Sequence, residues 1–248
     1  MPCLVAHRGQ KFSFPENTIA SIHEAIRCGA KAVEFDVQMT ADHVPVVCHD
    51  SNLLRTAGVD ITITDVDYAD IKDISVGEAG RFARKFKSIT LPSLQAMVDM
   101  LIDSPQVRVF IELKSESIDA FGVESLLKPV ISLLEPINQH CVVISDNLQV
   151  LLLLRQQTSL PIGWIIHRWH NEDLTLAKQN EVDYLIVNHK YYNPVLNYNF
   201  AADSWDWMIY ETCEPDKVLT LFALGISFVE TSDICSMLER LPEYRQDE

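Results

Sequence analysis

The sequence predicts an α/β barrel, in which a closed sheet of parallel strands is surrounded by helices, and three observations support this. A chain of 248 residues is of usual length for one such barrel. Short apolar runs alternate with helical segments along most of the chain, which is typical of parallel strands joined by crossover helices. Polar residues suited to chemistry follow several of these runs, at the strand ends where α/β proteins carry their active sites.

The composition favours a folded protein with one large core. Hydrophobic residues make up 48% of the chain and charged residues 22%, and no apolar stretch approaches the roughly 20 residues of a membrane helix. The net charge of −15 repels nucleic acids and anionic bilayers, so we expect neither a nucleic-acid partner nor stable membrane association. A small anionic substrate stays compatible, because local cations or a metal in a cleft override the overall charge. The oligomeric state is left open.

The N-terminus and the cysteines predict a cytoplasmic protein. The first strand begins at residue 2 or 3, which leaves no room for the charged and apolar regions of an export signal. The six cysteines are widely spread and form no C-x-x-C pair, so we expect reduced thiols rather than a disulfide or zinc framework. They are Cys3, Cys28, Cys48, Cys141, Cys213 and Cys235.

The first elements are predicted from apolar spacing and helix-end residues. After a strand at Cys3–Ala6, a helix is expected over Glu16–Cys28, because isoleucines recur there at helical spacing, a proline and an acid stand at its start, and a glycine follows its end. Strand 2 is expected at Lys31–Val37 and strand 3 at Pro45–His49. Their connection is too short for a crossover helix, so the chain must run back extended.

Residues 51–90 contain no clear strand, and we interpret them as an insertion over the mouth of the barrel within a single domain of 248 residues. Regular alternation then resumes. Further strands are expected at Val107–Glu112, Cys141–Ile144, Ile162–Ile166, Tyr184–Val187, Trp207–Tyr210 and Ile226–Val229. Helices are expected from an entry at Leu91–Leu94 to about Ile102, at Phe121–Leu134, Leu148–Arg155, Glu172–Gln179 and Pro215–Leu224, and after Val229 to about Leu241. Nine candidate strands for eight barrel positions mean that one is wrong or accessory.

Three carboxylates at predicted strand ends form a candidate metal site. Glu34 and Asp36 are two residues apart, so on a strand both point to one side and Phe35 points to the other. Glu112 ends another strand, with Lys114 following on the same side. Three carboxylates without a cysteine favour Mg²⁺, Ca²⁺ or Mn²⁺ over structural zinc. A solvated strand end is the alternative explanation for the Glu34 and Asp36 pair.

Two histidines complete the candidate site. His7 and Arg8 follow the first strand, and His49 with Asp50 ends the third. Two imidazoles beside a carboxylate site meet the needs of acid and base catalysis near neutral pH, and the guanidinium suits phosphate oxygens. Each cluster alone is compatible with an ordinary surface or core group, so only their joint occurrence indicates a site. His23, His140, His167, His170 and His189 have no comparable cluster and are predicted to be structural or surface residues.

Several motifs resemble those of the glycerophosphodiester phosphodiesterase family. They are A-H-R-G at 6–9, P-E-N-T at 15–18, V-E-F-D-V-Q-M-T at 33–40, P-V-V-C-H-D at 45–50, an L-x-R-T element ending at residue 56, L-P-S-L at 91–94 and I-E-L-K at 111–114. The resemblance implies a TIM-type (β/α)8 barrel with an insertion after strand 3, and metal-dependent hydrolysis of glycerophosphodiesters to glycerol 3-phosphate and an alcohol.

The resemblance also implies a role for each candidate residue. It makes Glu34, Asp36 and Glu112 the ligands of one divalent cation, His7 and His49 the acid and base, and Arg8 and Lys114 the phosphate contacts. Beyond residue 114 the match thins. The family usually has Ser-Phe where this chain has Ser145-Asp146, Trp-Thr where it has Tyr210-Glu211, and Thr-Asp where it has Thr231-Ser232. The headgroup preference is therefore open, with Glu211 as a candidate contact for a cationic headgroup.

Two other functions stay open at the level of sequence. One is a phospholipase D-like lyase that acts on lysophospholipids by internal cyclisation. The other is a non-catalytic barrel that binds a phosphodiester, although such a protein is expected to have lost a histidine or a metal ligand. The sequence also does not decide which histidine is the base, though we favour His7, nor whether a cyclic phosphate intermediate forms.

Overall fold

The computed structural model describes residues 2–191, 198 and 200–245, which contain one nine-stranded sheet. Eight of the strands are parallel and close into a barrel, because β1 pairs with both β2 and β9. The predicted barrel is thereby confirmed. The strands are β1 (Cys3–His7), β2 (Ala32–Met39), β3 (Pro45–Val47), β4 (Arg108–Leu113), β5 (Cys141–Ser145), β6 (Ile162–Ile166), β7 (Tyr184–Asn188), β8 (Asp206–Tyr210) and β9 (Phe228–Thr231).

The accessory strand is β3. It is shorter than predicted and pairs antiparallel with β2, with Pro45 opposite Met39 and Val47 opposite Val37. The short connection explains this, because only a hairpin fits between the two strands. The chain therefore returns alongside β2, and the backbone N–H of Cys48 donates to the carbonyl of Asp36 at 3.0 Å. His49 thus comes to lie near the end of β2 without following a parallel strand.

The helices follow the predicted order with two corrections. The first helix begins three residues later than predicted, at Ile19, because the Thr18 side chain accepts a hydrogen bond from the backbone N–H of Ser21 and caps it. The helix predicted over Phe121–Leu134 begins at Val123, because Gly122 with a φ of +79° separates it from a preceding helix, Ser115–Phe121, that was not predicted. The helices outside residues 51–90 are α1 (Ile19–Arg27), α5 (Leu94–Leu101), α6 (Ser115–Phe121), α7 (Val123–Leu134), α8 (Leu148–Gln157), α9 (Asn171–Gln179), α10 (Pro215–Ala223) and α11 (Ile234–Arg240).

Residues 51–90 carry three short helices, α2 (Leu54–Ala57), α3 (Tyr68–Ile71) and α4 (Ala79–Phe82), around a small apolar cluster of their own. Arg81 ties the segment to the loop after β1, since its guanidinium contacts Glu78 and the backbone carbonyl of Lys11. That the segment and barrel form one domain stays a prediction. Within the described ranges, every helix is too short or too polar to cross a membrane.

Alternation along the strands divides the apolar side chains into two layers. One cluster includes Val5, Phe110, Ile144 and Met208 and fills the inside of the barrel. The other includes the intervening residues, such as Phe35, and packs against the helices. Inward-facing positions near the C-terminal ends of β1, β2, β4 and β9 are polar, whereas those of β5, β6 and β7 are isoleucines. Apolar packing therefore fills the lower part of the barrel, and the polar groups lie at its C-terminal end.

A disulfide between Cys28 and Cys235 corrects the prediction of reduced cysteines. The two residues are 207 positions apart, yet they meet because the barrel closes with β1 beside β9, which brings α1 against α11. Spacing along the chain gives no sign of such a contact. Cys3, Cys48, Cys141 and Cys213 are free. The cytoplasmic location, which stays a prediction, loses one of its two supports.

Candidate active site

The structure brings all seven predicted site residues together at the C-terminal end of the barrel. A cavity of about 190 Å³ opens there, and Asp36 lies beneath it within contact of its lining. Six predicted residues line the cavity: His7, Arg8, Glu34, His49, Glu112 and Lys114. Their strands are far apart in sequence but adjacent in the sheet, since β2 lies between β1 and β4.

The three predicted carboxylates form a site that fits a divalent cation. Oxygen atoms of Glu34, Asp36 and Glu112 lie within 4.8 Å of one another. Glu34 Oε1 and Asp36 Oδ1 are buried without a hydrogen-bond partner, which is costly unless a cation coordinates them. Burial and the charge of Asp36 raise the pKa of Glu34 well above its usual range and that of Glu112 to about 7. A hard divalent ion would remove this repulsion.

Asn17 positions the carboxylate of Asp36, and the sequence analysis missed it. Its amide donates to Asp36 Oδ2 at 2.8 Å, and its carbonyl accepts from the backbone N–H of Asp36 at 3.1 Å. A φ of +56° at Asn17 turns the side chain toward β2, a conformation that asparagine tolerates better than most residues. Asn17 belongs to the P-E-N-T motif, which could have indicated this role, but the sequence analysis assigned the residue to the predicted helix.

The two predicted phosphate contacts are held by the same acids. Arg8 Nε lies 3.1 Å from Asp36 Oδ2, and the backbone N–H of Arg8 donates to Glu34 Oε2 at 2.9 Å. Lys114 Nζ lies 2.7 Å from Glu112 Oε1 and 3.6 Å from Asp36 Oδ1. Both cations face the cavity, where a phosphate would find a guanidinium and an ammonium beside the carboxylate cluster.

The sequence predicted Glu16 in the first turn of a helix. In the structure it lies before that helix and belongs to an ion-pair network. It accepts hydrogen bonds from Arg8 at 2.8 Å and from Arg55 at 2.7 and 3.0 Å. Burial alone would raise its pKa, but the Arg55 hydrogen bonds and the charges of both arginines lower it to about 2. Arg55 thereby links the residues 51–90 to the phosphate-binding side of the cavity.

His49 is held by its neighbour in the chain. Its Nδ1 lies 2.6 Å from Asp50 Oδ1, and Asp50 in turn accepts from Arg55 Nε at 2.7 Å. Burial lowers the pKa of His49, the charge of Asp36 opposes that effect, and Arg8 and Lys114 add to it.

His7 is held by a residue from the other end of the chain. Its Nδ1 lies 2.8 Å from Glu211 Oε2, just after β8. Its Nε2 lies 3.9 Å from carboxylate oxygens of both Glu34 and Glu230 and therefore points into the barrel. Burial and the charge of Arg8 lower the pKa of His7 to about 4, against the hydrogen bond to Glu211. These effects favour the neutral form of the His7 imidazole.

Glu230 is a fourth buried carboxylate of the cavity that the sequence analysis did not identify. It lies on β9 with 3% of its surface exposed, and burial and the charge of Glu112 raise its pKa well above the usual range. The sequence could have indicated Glu230, because a charged residue within a buried parallel strand is unusual. It stands two residues after Phe228 and therefore points to the same, inner side of the strand.

The wall of the cavity differs from the sequence expectation at His167. This histidine, which was predicted to be a structural or surface residue, lines the cavity. Its Nε2 lies 3.1 Å from Asp146 Oδ2. Tyr210 lines it as well. A second cavity of about 330 Å³ adjoins the first and shares Asp146, Ile165 and His167 with it. The two cavities together form a continuous space beside the carboxylate cluster.

Comparison with known proteins gives curated relatives that match between half and two thirds of this chain. The chain is 29% identical to glycerophosphodiester phosphodiesterase 1 of Bos taurus over 164 residues, or 66% of this chain and 48% of that protein. It is 35% identical to a glycerophosphodiester phosphodiesterase of Caldanaerobacter subterraneus over 124 residues, or 50% of each protein. The matched part is thus about half the length of these relatives.

Solved structures show the same fold. An Oleispira antarctica phosphodiesterase, solved in complex with the product sn-glycerol-3-phosphate, superposes with a TM-score of 0.85 at 21% identity, covering 98% of this chain and 97% of that one. A glycerophosphodiester phosphodiesterase from Agrobacterium tumefaciens gives a TM-score of 0.76 at 20% identity, covering 96% and 100%. The model of the glycerophosphoryl diester phosphodiesterase family matches residues 7–229. The chain therefore belongs to the glycerophosphoryl diester phosphodiesterase family.

Proposed function

We propose that this protein hydrolyses glycerophosphodiesters to glycerol 3-phosphate and an alcohol, with one divalent cation and two histidines. The observation that carries the proposal is the cavity itself, in which three clustered carboxylates, two imidazoles and two cationic side chains meet. Family membership and the glycerol 3-phosphate bound by a protein of the same fold support the substrate class. Small molecules of this kind are the partners we propose.

Glu34, Asp36 and Glu112 would hold the cation. Mg²⁺ and Ca²⁺ are the proposed ions, with Mn²⁺ as a further candidate, because all three take carboxylate oxygens. When bound, such an ion polarises a phosphoryl oxygen and stabilises the negative charge that develops in the transition state. Arg8 and Lys114 would bind the other phosphate oxygens and orient the diester.

The two histidines would move the protons. His7, neutral and with Nε2 directed into the barrel, would accept a proton from the attacking nucleophile. His49, which follows the antiparallel strand β3, would donate a proton to the leaving alcohol. The nucleophile is water or the 2-hydroxyl of the glycerol moiety, and the latter would give a cyclic phosphate.

The test is release of glycerol 3-phosphate from glycerophosphocholine, measured by a coupled dehydrogenase assay with Mg²⁺, Ca²⁺ or Mn²⁺ and after EDTA treatment. We expect turnover with at least one ion, loss in EDTA and recovery when the ion is restored. Phosphorus NMR of the same mixtures detects any cyclic phosphate. Release of glycerol 3-phosphate that EDTA does not affect would contradict the metal proposal.

The same experiment separates the two other functions. A lyase would convert lysophosphatidylcholine to a cyclic phosphate and leave glycerophosphocholine intact, and a binding protein would turn over neither. No observation on the described residues favours either one. A cytoplasmic location and roles in lipid and glycerol metabolism are part of this proposal, and fractionation of cells that express the protein tests the location.

A further inference from the structure

The contact between Glu211 and His7 is the strongest feature of the site that the proposed reaction does not already use. Glu211 follows β8, and its Oε2 lies 2.8 Å from His7 Nδ1. The sequence analysis placed Glu211 near a cationic headgroup. The structure instead shows both of its carboxylate oxygens engaged by the protein, because Oε1 lies 3.1 Å from Lys11 Nζ.

The short contact requires a proton on His7 Nδ1. A carboxylate only accepts hydrogen bonds, so an unprotonated Nδ1 at this distance would place two lone pairs against each other. Lys11 Nζ also lies 3.1 Å from Nδ1, but its three N–H groups can rotate toward Glu211 Oε1 and away from the ring, whereas the ionised carboxylate, at the shorter distance, has no proton to donate. The carboxylate therefore decides the proton position, and Lys11 supports the carboxylate.

The proton on Nδ1 determines the state of the other ring nitrogen. A neutral imidazole carries one proton, so a proton on Nδ1 leaves a lone pair on Nε2. Nε2 is the nitrogen that points toward Glu34 and Glu230 inside the barrel, at 3.9 Å from each. This is the nitrogen that the cavity presents to a substrate.

We propose that Glu211 is a positioning residue that fixes His7 in the tautomer with an unprotonated Nε2 and so makes it competent as a base. The catalytic consequence of this inference rests on the proposed function, but the tautomer of His7 does not depend on it. The ionised state of Glu211 agrees with it. Burial would raise its pKa, yet the hydrogen bond to His7 and the charge of Lys11 lower it to about 2.

The direct test is the imidazole nitrogen spectrum. Protein labelled with ¹⁵N-histidine is observed by long-range ¹H–¹⁵N correlation at pH 7.5, with Mg²⁺ and with EDTA, and the His7 signals are assigned by their loss in His7→Gln. We expect wild-type His7 to be protonated on Nδ1. In Glu211→Gln only one side-chain oxygen remains to accept hydrogen bonds from both Lys11 and His7. The population of His7 with a proton on Nε2 should therefore rise.

Kinetics on the same variants gives the second readout. Glu211→Gln should lower kcat by roughly tenfold to a hundredfold and change KM by less than about twofold, because positioning of the base affects the chemical step more than binding. Glu211→Asp, which keeps the charge but is one methylene shorter, should restore part of kcat. The matched control is Glu214→Gln, the same change at an exposed acid in the same loop, and it should alter neither spectrum nor kinetics.

The outcomes distinguish this inference from the proposed function. Wild-type His7 protonated on Nε2, or a Glu211→Gln variant with unchanged tautomer and kcat, would overturn the inference while the hydrolase activity stands. An Nδ1-protonated His7 that responds to Glu211→Gln, in a protein that hydrolyses no glycerophosphodiester, would leave the positioning role intact and remove the proposed function. A rise in KM alone would also overturn the inference and favour the headgroup contact.

Discussion

The two histidines of the cavity are held in the same way by carboxylates of very different origin. His49 Nδ1 lies 2.6 Å from Asp50, its neighbour in the chain, and His7 Nδ1 lies 2.8 Å from Glu211, 204 residues away. Each carboxylate is supported by a cation, Arg55 for Asp50 and Lys11 for Glu211. Two adjacent residues thus produce this geometry at His49, whereas closure of the barrel produces it at His7.

The difference shows which parts of the site depend on the whole fold. The groups that hold the His49 ring, Asp50 and Arg55, need only the β2–β3 hairpin and the segment after it. The environment of His7 needs β8 and β9 to close against β1, because Glu211 and Glu230 come from the last quarter of the chain. Variants at the two histidines therefore test a local and a long-range solution to one requirement.

The largest expected effect comes from removing either imidazole. His7→Ala and His49→Ala should each lower kcat on glycerophosphocholine by about 10²-fold or more, because each removes an acid or base. The comparison is sharpened with a glycerophosphodiester of p-nitrophenol, whose leaving group needs no proton. We expect His49→Ala to recover most of its activity on that substrate and His7→Ala to recover little.

Circular dichroism and thermal unfolding of both alanine variants serve as the folding control. Recovery of His7→Ala instead of His49→Ala on the activated diester would reverse the assignment of base and acid. Equal recovery of both would show that neither proton transfer is specific to the leaving group.

Asp50→Asn should lower kcat by roughly tenfold to a hundredfold. Both oxygens of Asp50 accept hydrogen bonds from Arg55, and one also contacts His49, so an amide group would direct its N–H atoms at a donor. The measurement is kcat on glycerophosphocholine beside that of Glu211→Gln. The exposed Asp60→Asn, in the same segment, is the control. Full activity of Asp50→Asn would show that the local carboxylate is dispensable.

Lys11→Met should have a smaller effect, about twofold to fivefold on kcat. Lys11 Nζ lies 3.1 Å from both His7 Nδ1 and Glu211 Oε1, and an ion pair with partial exposure on both sides is worth about 0.2 to 1 kcal/mol. Steady-state kinetics checks this, with Lys217→Met on α10 as the control. A loss as large as that of Glu211→Gln would mean that Lys11 contacts the reacting groups itself.

Removing the disulfide should leave turnover at 25 °C nearly unchanged while it weakens the fold. The Cys28–Cys235 bond joins the same two ends of the chain as the His7–Glu211 contact, and loss of a native disulfide typically costs about 2–5 kcal/mol of unfolding free energy. Urea unfolding of Cys28→Ser with Cys235→Ser measures this, and reduction of the wild type should give the same loss. Unchanged stability in both cases would indicate that the bond does not form in solution.

The order of secondary structure was predictable where local pattern decides it. Apolar runs and helical spacing gave the strands and helices in their correct order, and the short link after β2 indicated the returning strand. The predicted boundaries were wrong where a single residue decides them, as with the side-chain cap at Thr18 and the positive φ at Gly122. Motifs up to residue 114 indicated all seven candidate site residues, because acidic residues, histidines and basic residues occur there together at the ends of several predicted strands.

The sequence by itself determined the alternating elements, the inward direction of Glu34 and Asp36, and the pairing of His49 with Asp50, because each depends on residues within a few positions of one another. Only the tertiary structure decided the Cys28–Cys235 bond, the burial of Glu230 and the partner of His7. These depend on which strand lies beside β1, and that is fixed when a sheet of many separately encoded strands closes on itself. No local spacing along the chain carries that information.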